Sequence, residues 1–268
     1  AGLADELLLY QAPTLLGDAA RPLLAGIDIH DMRERVDLDL IEVRQVGSDR
    51  KAESIEKAQL LRAELGDAFV PYAEADTPEA IVRVRSAGST DYLFAFNDQR
   101  TYGTYVGQYR KVMEQGVPTT ATLTVRRPAG AVYDLLAGQA VAARAEDGVL
   151  RLPAEFGPGE GRLYMITARP LAAVAVAAPA TSARGERARV AIRVTDDTGA
   201  AVDAVVPLRV DIRDAQGQTA EGCGWYAAPG GALELTLDVA PNDAPGEWTI
   251  AVRELASGRQ ATARWTVR

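Results

Sequence analysis

From residue 81 to its end, the chain alternates short apolar segments with clusters of Gly, Pro and Asp, and this repetition limits the folds it can adopt. The first series of strand-like segments covers residues 81–84, 91–97, 120–126, 131–135, 140–144, 149–152 and 162–167. Short strands that recur roughly every ten residues are typical of antiparallel sandwiches. We therefore expect a mainly β fold.

A second series of strand-like segments follows residues 179–186, PATSARGE, which we interpret as a linker. Its segments cover residues 188–195, 205–214, 219–226, 233–238, 248–255 and 260–267. Apolar and polar residues alternate in ARVAIRV and WTIAVREL, as strands with one buried face require. All three tryptophans, Trp225, Trp248 and Trp265, fall in this series, where we expect them to fill a two-sheet core.

The first part of the chain mixes helical and strand patterns. Residues 36–46, VDLDLIEVRQV, predict a half-buried strand, and residues 51–65, KAESIEKAQLLRAEL, predict a helix that ends at Gly66. The predicted fold is thus two consecutive antiparallel β-sandwiches, the second Ig-like, preceded by a short α/β segment. The predicted domains are residues 1–75, 76–178 and 179–268.

Composition excludes several classes of function. The net charge of −8 repels nucleic-acid backbones, so we expect no nucleic-acid partner. With a single cysteine, Cys223, and a single histidine, His30, the chain has no internal disulfide and no cysteine-built metal site. No apolar run approaches the roughly 20 residues of a membrane span, and we expect none.

Candidate catalytic groups are few, and each has a simpler interpretation. Asp91 and Asp98 bracket a strand that is about 23 Å long if straight, too far for an acid–base pair. We interpret both as acceptors in turns. Residues 157–161, GPGEG, lack the Lys and Ser/Thr of a phosphate loop and predict a hairpin turn. We therefore predict no catalytic residue, no metal ligand and no cofactor.

The aromatic stretch 91–109, DYLFAFNDQRTYGTYVGQY, is the strongest candidate for a contact surface. Tyr92, Phe94 and Phe96 alternate along one strand, so we expect them to face a core together. The residues that follow are interpreted as ligand or partner contacts, with packing in a core or interface as the alternative. These predicted contact residues are Arg100, Tyr102, Tyr105, Gln108 and Tyr109.

Two parts of the β-rich region resemble known families. FNDQRTYGTYVGQYRKVMEQGVP, AVYDLLAGQAV and GPGEGRLYMI, within residues 80–176, resemble the non-catalytic β-rich region that follows the catalytic barrel in large bacterial proteins related to glycoside hydrolases. VPLRVDIRDAQGQ and APNDAPGEWTIAVREL resemble bacterial Ig-like and macroglobulin-type modules, which act as spacers and binders. Both resemblances imply accessory domains rather than an enzyme.

A third resemblance implies a different function. DELLLYQAPTLLGDAARPLL and VDLDLIEVRQVGSD, within residues 5–49, resemble the C-terminal end of the reductase domain of riboflavin-biosynthesis deaminase-reductases. That family implies NADPH as a cofactor and a cytoplasmic location, although most of its nicotinamide and substrate residues lie upstream of this segment. The chain would then be a reductase fragment, or a chimera of unrelated parts.

The expected function is therefore a non-catalytic accessory or binding module of a larger carbohydrate-active or cell-surface bacterial protein. Its expected partners are other domains or chains of that protein, with a glycan as a further candidate, in an extracellular or cell-envelope location. The alternative is the NADPH-dependent reductase fragment.

Overall fold

The structure, a computed structural model, describes residues 48–68, 70–106 and 112–268. It begins with helix α1 (Ser48–Leu65) and a single 3-10 turn (Gly66–Ala68). The helix predicted over residues 51–65 is confirmed, with Gly66 following it at a φ of 48°. Leu60 and Leu61 are exposed on this helix, and Arg62 forms an ion pair with Glu74.

The remaining described elements are β-strands, so the mainly β class is confirmed. The first eleven are β1 (Ala73–Ala75), β2 (Ala80–Ala87), β3 (Thr90–Asn97), β4 (Arg100–Val106), β5 (Val112–Gly116), β6 (Thr119–Val125), β7 (Ala131–Asp134), β8 (Gln139–Val141), β9 (Arg144–Glu146), β10 (Val149–Phe156) and β11 (Gly161–Thr167). The last eight are β12 (Leu171–Ala177), β13 (Thr181–Ser182), β14 (Arg187–Asp196), β15 (Val205–Arg213), β16 (Gly224–Pro229), β17 (Ala232–Asp238), β18 (Gly246–Glu254) and β19 (Gln260–Val267).

The first sandwich consists of a four-stranded sheet, ordered β1-β6-β10-β9, and a five-stranded sheet, ordered β2-β3-β11-β7-β8. All of their pairings are antiparallel. The alternating apolar residues of these strands meet between the sheets in one core. Its large buried side chains include those of Leu93, Leu123, Val125, Leu150, Leu152, Phe156 and Ile166.

The second sandwich consists of sheets ordered β12-β14-β17 and β13-β19-β18-β15-β16, an Ig-like arrangement with the short β13 parallel to β19. Trp248 and Trp265 pack in its core with ring centroids 5.5 Å apart. β12 pairs with β14, so residues 171–177 belong to this sandwich although the sequence placed them before residue 178. The predicted linker 179–186 contains β13, a strand of the same sandwich, and that interpretation was wrong. The division into three domains stays a prediction.

Hydrogen bonds and apolar side chains join the two sandwiches. The Tyr92 hydroxyl donates to the carbonyl of Val205 at 2.7 Å and accepts from its amide at 2.9 Å. The carboxylate of Asp203 accepts the amide N–H of Ser89, in the β2–β3 turn, at 2.8 Å. Tyr133 and Met165, on the outer face of the first sandwich, are buried in the core of the second. The two sandwiches therefore share a buried interface and are not connected by a flexible linker alone.

Candidate functional site

Strands β4 and β5 form a separate two-stranded sheet between β3 and β6 in the chain, which we call the arm (residues 100–106 and 112–116). Arg100 lies opposite Gly116, Tyr102 opposite Glu114, and Val106 opposite Val112, with a register shift between Tyr102 and Val106. β3 and β6 belong to opposite sheets of the first sandwich. The arm is thus a long hairpin inserted where the chain crosses from one sheet to the other.

The foot of the arm is fixed by Asn97, the last residue of β3 and a buried one. Its amide group donates hydrogen bonds to the carbonyls of Val117 and Gly157, each at 2.7 Å, and accepts the amide N–H of Gln99 at 2.9 Å. One side chain therefore connects the end of β3, the residues directly before β4 and directly after β5, and the turn after β10. Buried amide groups with all these partners hold a single geometry.

Arg100 fastens the two strands of the arm to each other. Its guanidinium donates to Glu114 across the hairpin at 2.6 Å and lies 2.9 Å from a carboxylate oxygen of Asp98. Its hydrogen bond to Asp98, and then that to Glu114, raise the pKa of Arg100 above its ordinary value, although burial opposes them. The predicted contact residue Arg100 is therefore already bound by two carboxylates and orients the hairpin.

The structure describes only some of the predicted contact residues. The side chains of Tyr102 and Val106 are both more than half exposed, at 58% and 53%. Tyr105 lies in β4, but its side chain is not among those described, and Gln108 and Tyr109 lie outside the described residues. The contact role of all five predicted residues stays a prediction.

A second exposed apolar surface, which we call the aromatic face, lies on the sheet beside the arm and consists of Ile81, Phe94 and Phe96. Phe94 and Phe96 are each 45% exposed, so the prediction that they face a core was wrong. The alternation was correct, but the buried face of β3 is the other one, which carries Asp91, Leu93, Ala95 and Asn97. Because polar residues, Asp91 and Asn97, lie at both ends of that face, the sequence did not identify it as the buried one. Tyr92, in contrast, packs against the second core as expected.

Trp225 is a third exposed aromatic residue that the sequence placed in a core. It lies on β16, where its side chain is 71% exposed and the guanidinium of Arg209 is 5.1 Å from its ring centroid. Asp211 holds that guanidinium at 2.7 Å. Because Trp225 follows Gly224 at the start of an edge strand, its exposure depends on strand order, which the sequence does not reveal.

A shallow cleft of about 560 Å³ opens beside the foot of the arm. Its lining includes Thr120, Phe156 and two charged residues that are paired with each other, Glu160 and Arg162, at 2.9 Å. Arg162 also reaches Asp134 at 3.2 Å. The cleft is polar, open and adjacent to the arm, which makes it an extension of the same surface.

The carboxylate of Asp91 is buried in a hydrogen-bonded group and is not a turn acceptor. It accepts from Arg127 at 2.9 Å, Tyr72 at 2.7 Å and Ser86 at 2.7 Å. Burial raises the pKa of Asp91, but hydrogen bonds from Ser86, Tyr72 and Arg127 outweigh it and hold the pKa below its ordinary value. Asp91 therefore remains ionised and paired, a structural role. Asp98 is engaged with Arg100.

Two tyrosines with raised pKa values, the buried Tyr164 and the more exposed Tyr72, predict a loss of stability at high pH. Burial raises the pKa of Tyr164 to about 12, and burial together with the bond to Asp91 raises that of Tyr72 to about 12. Above pH 10 the unfolded chain releases these protons while the folded chain keeps them, so stability falls between pH about 10 and 12. Urea midpoints measured across this range should fall less in a Tyr164→Phe variant. An unchanged slope in that variant would contradict the assignment.

The remaining candidates for chemistry have structural partners. The GPGEG segment forms a turn, in which Gly157 N–H donates to the Glu160 carboxylate at 2.6 Å, but it joins strands of different sheets and is not a hairpin. Cys223 is partly buried and its sulfur accepts the amide N–H of Ile212 at 3.0 Å. His30 lies outside the described residues. In the part of the chain that is described, no three His, Cys, Asp or Glu side chains are grouped as a metal site requires.

No family model and no curated protein matches this chain. Among solved structures, an adhesin of Yersinia pseudotuberculosis, InvE, is similar over 72% of this chain at 11% identity, with a TM-score of 0.31. This chain spans 60% of that adhesin. A PKD domain of an M14-like peptidase from a Thermoplasmatales archaeon covers 37% of this chain and 95% of its own length, at 18% identity and a TM-score of 0.26. A putative beta-galactosidase from Bacteroides fragilis covers 67% of this chain and 32% of its own length, at 12% identity and a TM-score of 0.22.

Nothing in the comparisons supports the resemblance of residues 5–49 to a reductase domain. Those residues, apart from Ser48 and Asp49, lie outside the described chain. Within the described part, no helix is both long and apolar enough to cross a bilayer.

Proposed function

We propose that the chain is a non-catalytic binding module that contacts its partner through the arm. One observation carries this proposal: the arm stands apart from both sheets of the first sandwich, and its described apolar residues Tyr102 and Val106 are exposed. An arm that only stabilised the fold would bury its aromatic residues against the sandwich. Tyr102, with Tyr105, Gln108 and Tyr109, forms the proposed contact surface.

The geometry of the foot supports this role. Asn97 and Arg100 fix the foot of the arm, so the exposed ring of Tyr102 is presented by a pre-formed pair of strands. Pre-organisation reduces the entropy lost on binding. Tyrosine is favoured at interfaces because its ring gives a large apolar area and its hydroxyl a polar end. The aromatic face and the cleft beside the foot extend the surface available to a partner.

The proposed partner is another domain or chain of a larger carbohydrate-active or cell-surface protein, or a glycan. Flat aromatic rings suit the apolar faces of sugar rings and the side chains of another domain equally. An extracellular or cell-envelope location accords with such partners. The proposal requires no cofactor.

The proposed contact surface is tested by replacing Tyr102, Tyr105 and Tyr109 together by serine. A glycan array and a pull-down with bacterial surface polysaccharide first identify a ligand, and titration calorimetry then measures its dissociation constant. We expect the triple variant to bind at least about tenfold more weakly, because interface aromatics carry much of the binding energy. Its thermal midpoint should stay close to that of the parent chain.

Leu136→Ser is the matched control, since Leu136 is 66% exposed and lies outside the arm. This control should bind as the parent chain does. If the triple variant instead loses stability while its affinity stays unchanged, the tyrosines pack in a core and the proposal fails.

A further inference from the structure

Strand β16 ends a sheet, and hydrogen-bond register shows which of its backbone groups face outward. Among the described strands, β16 pairs with β15 alone, and β15 pairs on its other side with β18. The carbonyl of Pro207, on β15, accepts the amide N–H of Leu255 at 3.0 Å, on the side of β18. Backbone groups of successive residues in a strand point alternately to its two neighbours. Pro207, Arg209 and Asp211 therefore bond toward β18, and Val206, Leu208 and Val210 toward β16.

The same alternation shows which backbone groups of β16 point away from the sheet. Leu208 lies opposite Tyr226, so Tyr226 bonds inward to β15, while its neighbours Trp225 and Ala227 direct their N–H and C=O groups away from the sheet. Ile212, at the next inward position of β15, confirms the direction: its amide bonds to the sulfur of Cys223 on the β16 side. Among the described residues, the backbone groups of Trp225 and Ala227 thus face away from β15, the strand with which β16 pairs. They form an open strand edge.

The side chains of β16 do not protect this edge. Edge strands commonly carry charged residues that discourage pairing with another chain. β2, which ends its sheet, carries Arg83 and Arg85, and β17 carries Glu234 and Asp238. β16, GWYAAP, carries no ionisable group other than the half-buried Tyr226, which bonds to Gly222. Only Pro229, at its end, limits how far a further strand can pair.

We propose that this edge pairs with β16 of a second copy of the chain, antiparallel, about a twofold axis at Tyr226. Trp225 of each copy then lies opposite Ala227 of the other, and each such pair exchanges two backbone hydrogen bonds. The pairing is self-complementary in size, because the large indole meets a methyl group. It covers the most exposed large apolar side chain among the described residues. The two five-stranded sheets become one continuous sheet.

Electrostatics favour a second copy over a charged partner strand. β16 offers no anion or cation to attract a charged peptide, whereas two copies of this uncharged strand can pair without bringing charged side chains of β16 together. Arg209, beside Trp225, is already neutralised by Asp211 at 2.7 Å, so no unpaired like charges meet across the axis. The short edge buries less than the roughly 1,200 Å² of a standard interface, and we expect a dissociation constant in the micromolar range.

The experiment is a sedimentation-velocity series on the full chain at physiological salt, with Ala227→Pro as the test variant. Proline removes the N–H at residue 227, which faces away from β15, so the described pairing of β16 with β15 keeps its hydrogen bonds. We expect the dimer dissociation constant to rise at least about tenfold. Ala227→Ser keeps the amide and the small side chain, and should dimerise as the parent chain does.

Amide exchange measured by NMR on the unmodified chain gives a second readout that does not depend on a variant folding. Protection of the Trp225 and Ala227 amides should increase with protein concentration. A parent chain that stays monomeric up to about 500 μM overturns the proposal, given the micromolar affinity expected. Equal dimerisation of the proline and serine variants also overturns it. The proposal does not involve the arm, so it stands or falls independently of the proposed function.

Discussion

Replacing Gly231 by alanine is expected to lower the free energy of unfolding by about 3 kcal/mol. Gly231 joins β16 to β17 with a φ of 70°, in the left-handed region that alanine adopts only at a cost. A Cβ there would lie 2.8 Å from the carbonyl oxygen of Val194 and 2.9 Å from the backbone of Val202. These atoms are held by the sheet, since Val194 N–H donates to the carbonyl of Gly231 at 2.7 Å. The backbone therefore has little freedom to make room.

The neighbouring Gly230 provides a matched control. Its φ is 61°, nearly that of Gly231, but no atom lies within 4 Å of its would-be Cβ. Gly230→Ala therefore carries the conformational cost alone, about 1 kcal/mol. Urea unfolding of both variants at neutral pH measures the difference. Equal losses would mean that the steric contact at Gly231 relaxes freely, and would contradict this explanation.

The general architecture could be predicted because most strands bury one face only. ARVAIRV, within β14, and WTIAVRE, within β18, show buried residues alternating with more exposed ones, and both segments were located from the sequence. α1 was equally clear, because its apolar residues repeat at helical spacing and Gly66 follows it. Alternation along a strand and helical spacing were therefore enough to locate these elements.

Strand partners, in contrast, could not be predicted from local pattern. β12 and β13 belong to the second sandwich because of their pairing with β14 and β19, contacts made across long stretches of chain. Residues 179–186 resembled a linker because β13 is only two residues long. Residues 219–226 were interpreted as a strand, whereas β16 begins at Gly224 because the preceding residues form turns and cross-strand contacts.

The candidate site was likewise predictable only where local sequence pattern determines it. The sequence identified the aromatic stretch and placed Tyr102 in a contact surface, and the structure leaves Tyr102 exposed. It did not reveal Asn97 as the residue that fixes the foot of the arm, since the three partners of that side chain come from three separate segments. It also assigned Phe94, Phe96 and Trp225 to a core, because a large apolar side chain in a strand is usually buried.

Removing the carboxylate of Asp91 is expected to lower the free energy of unfolding by about 3 kcal/mol. Asp91→Ala leaves the guanidinium of Arg127, whose side chain is 12% exposed, without its partner at 2.9 Å. An unpaired buried charge costs far more than the pair contributes, so most of the loss should disappear when Arg127 is also replaced. A double-mutant cycle with Arg127→Met, followed by urea unfolding, measures this coupling.

The exposed pair Arg187–Asp238 is the matched control, because its N···O distance is also 2.9 Å while both side chains are more than 70% exposed. Asp238→Ala should cost less than about 1 kcal/mol, since solvent screens that pair. Acid should also reduce the stabilisation that the carboxylate of Asp91 contributes. The lowered pKa of Asp91 means that its stabilisation is present above the ordinary carboxyl range and is lost as pH falls through the lowered value. Equal losses in Asp91→Ala and Asp238→Ala would show that burial does not determine the strength of the Asp91–Arg127 pair.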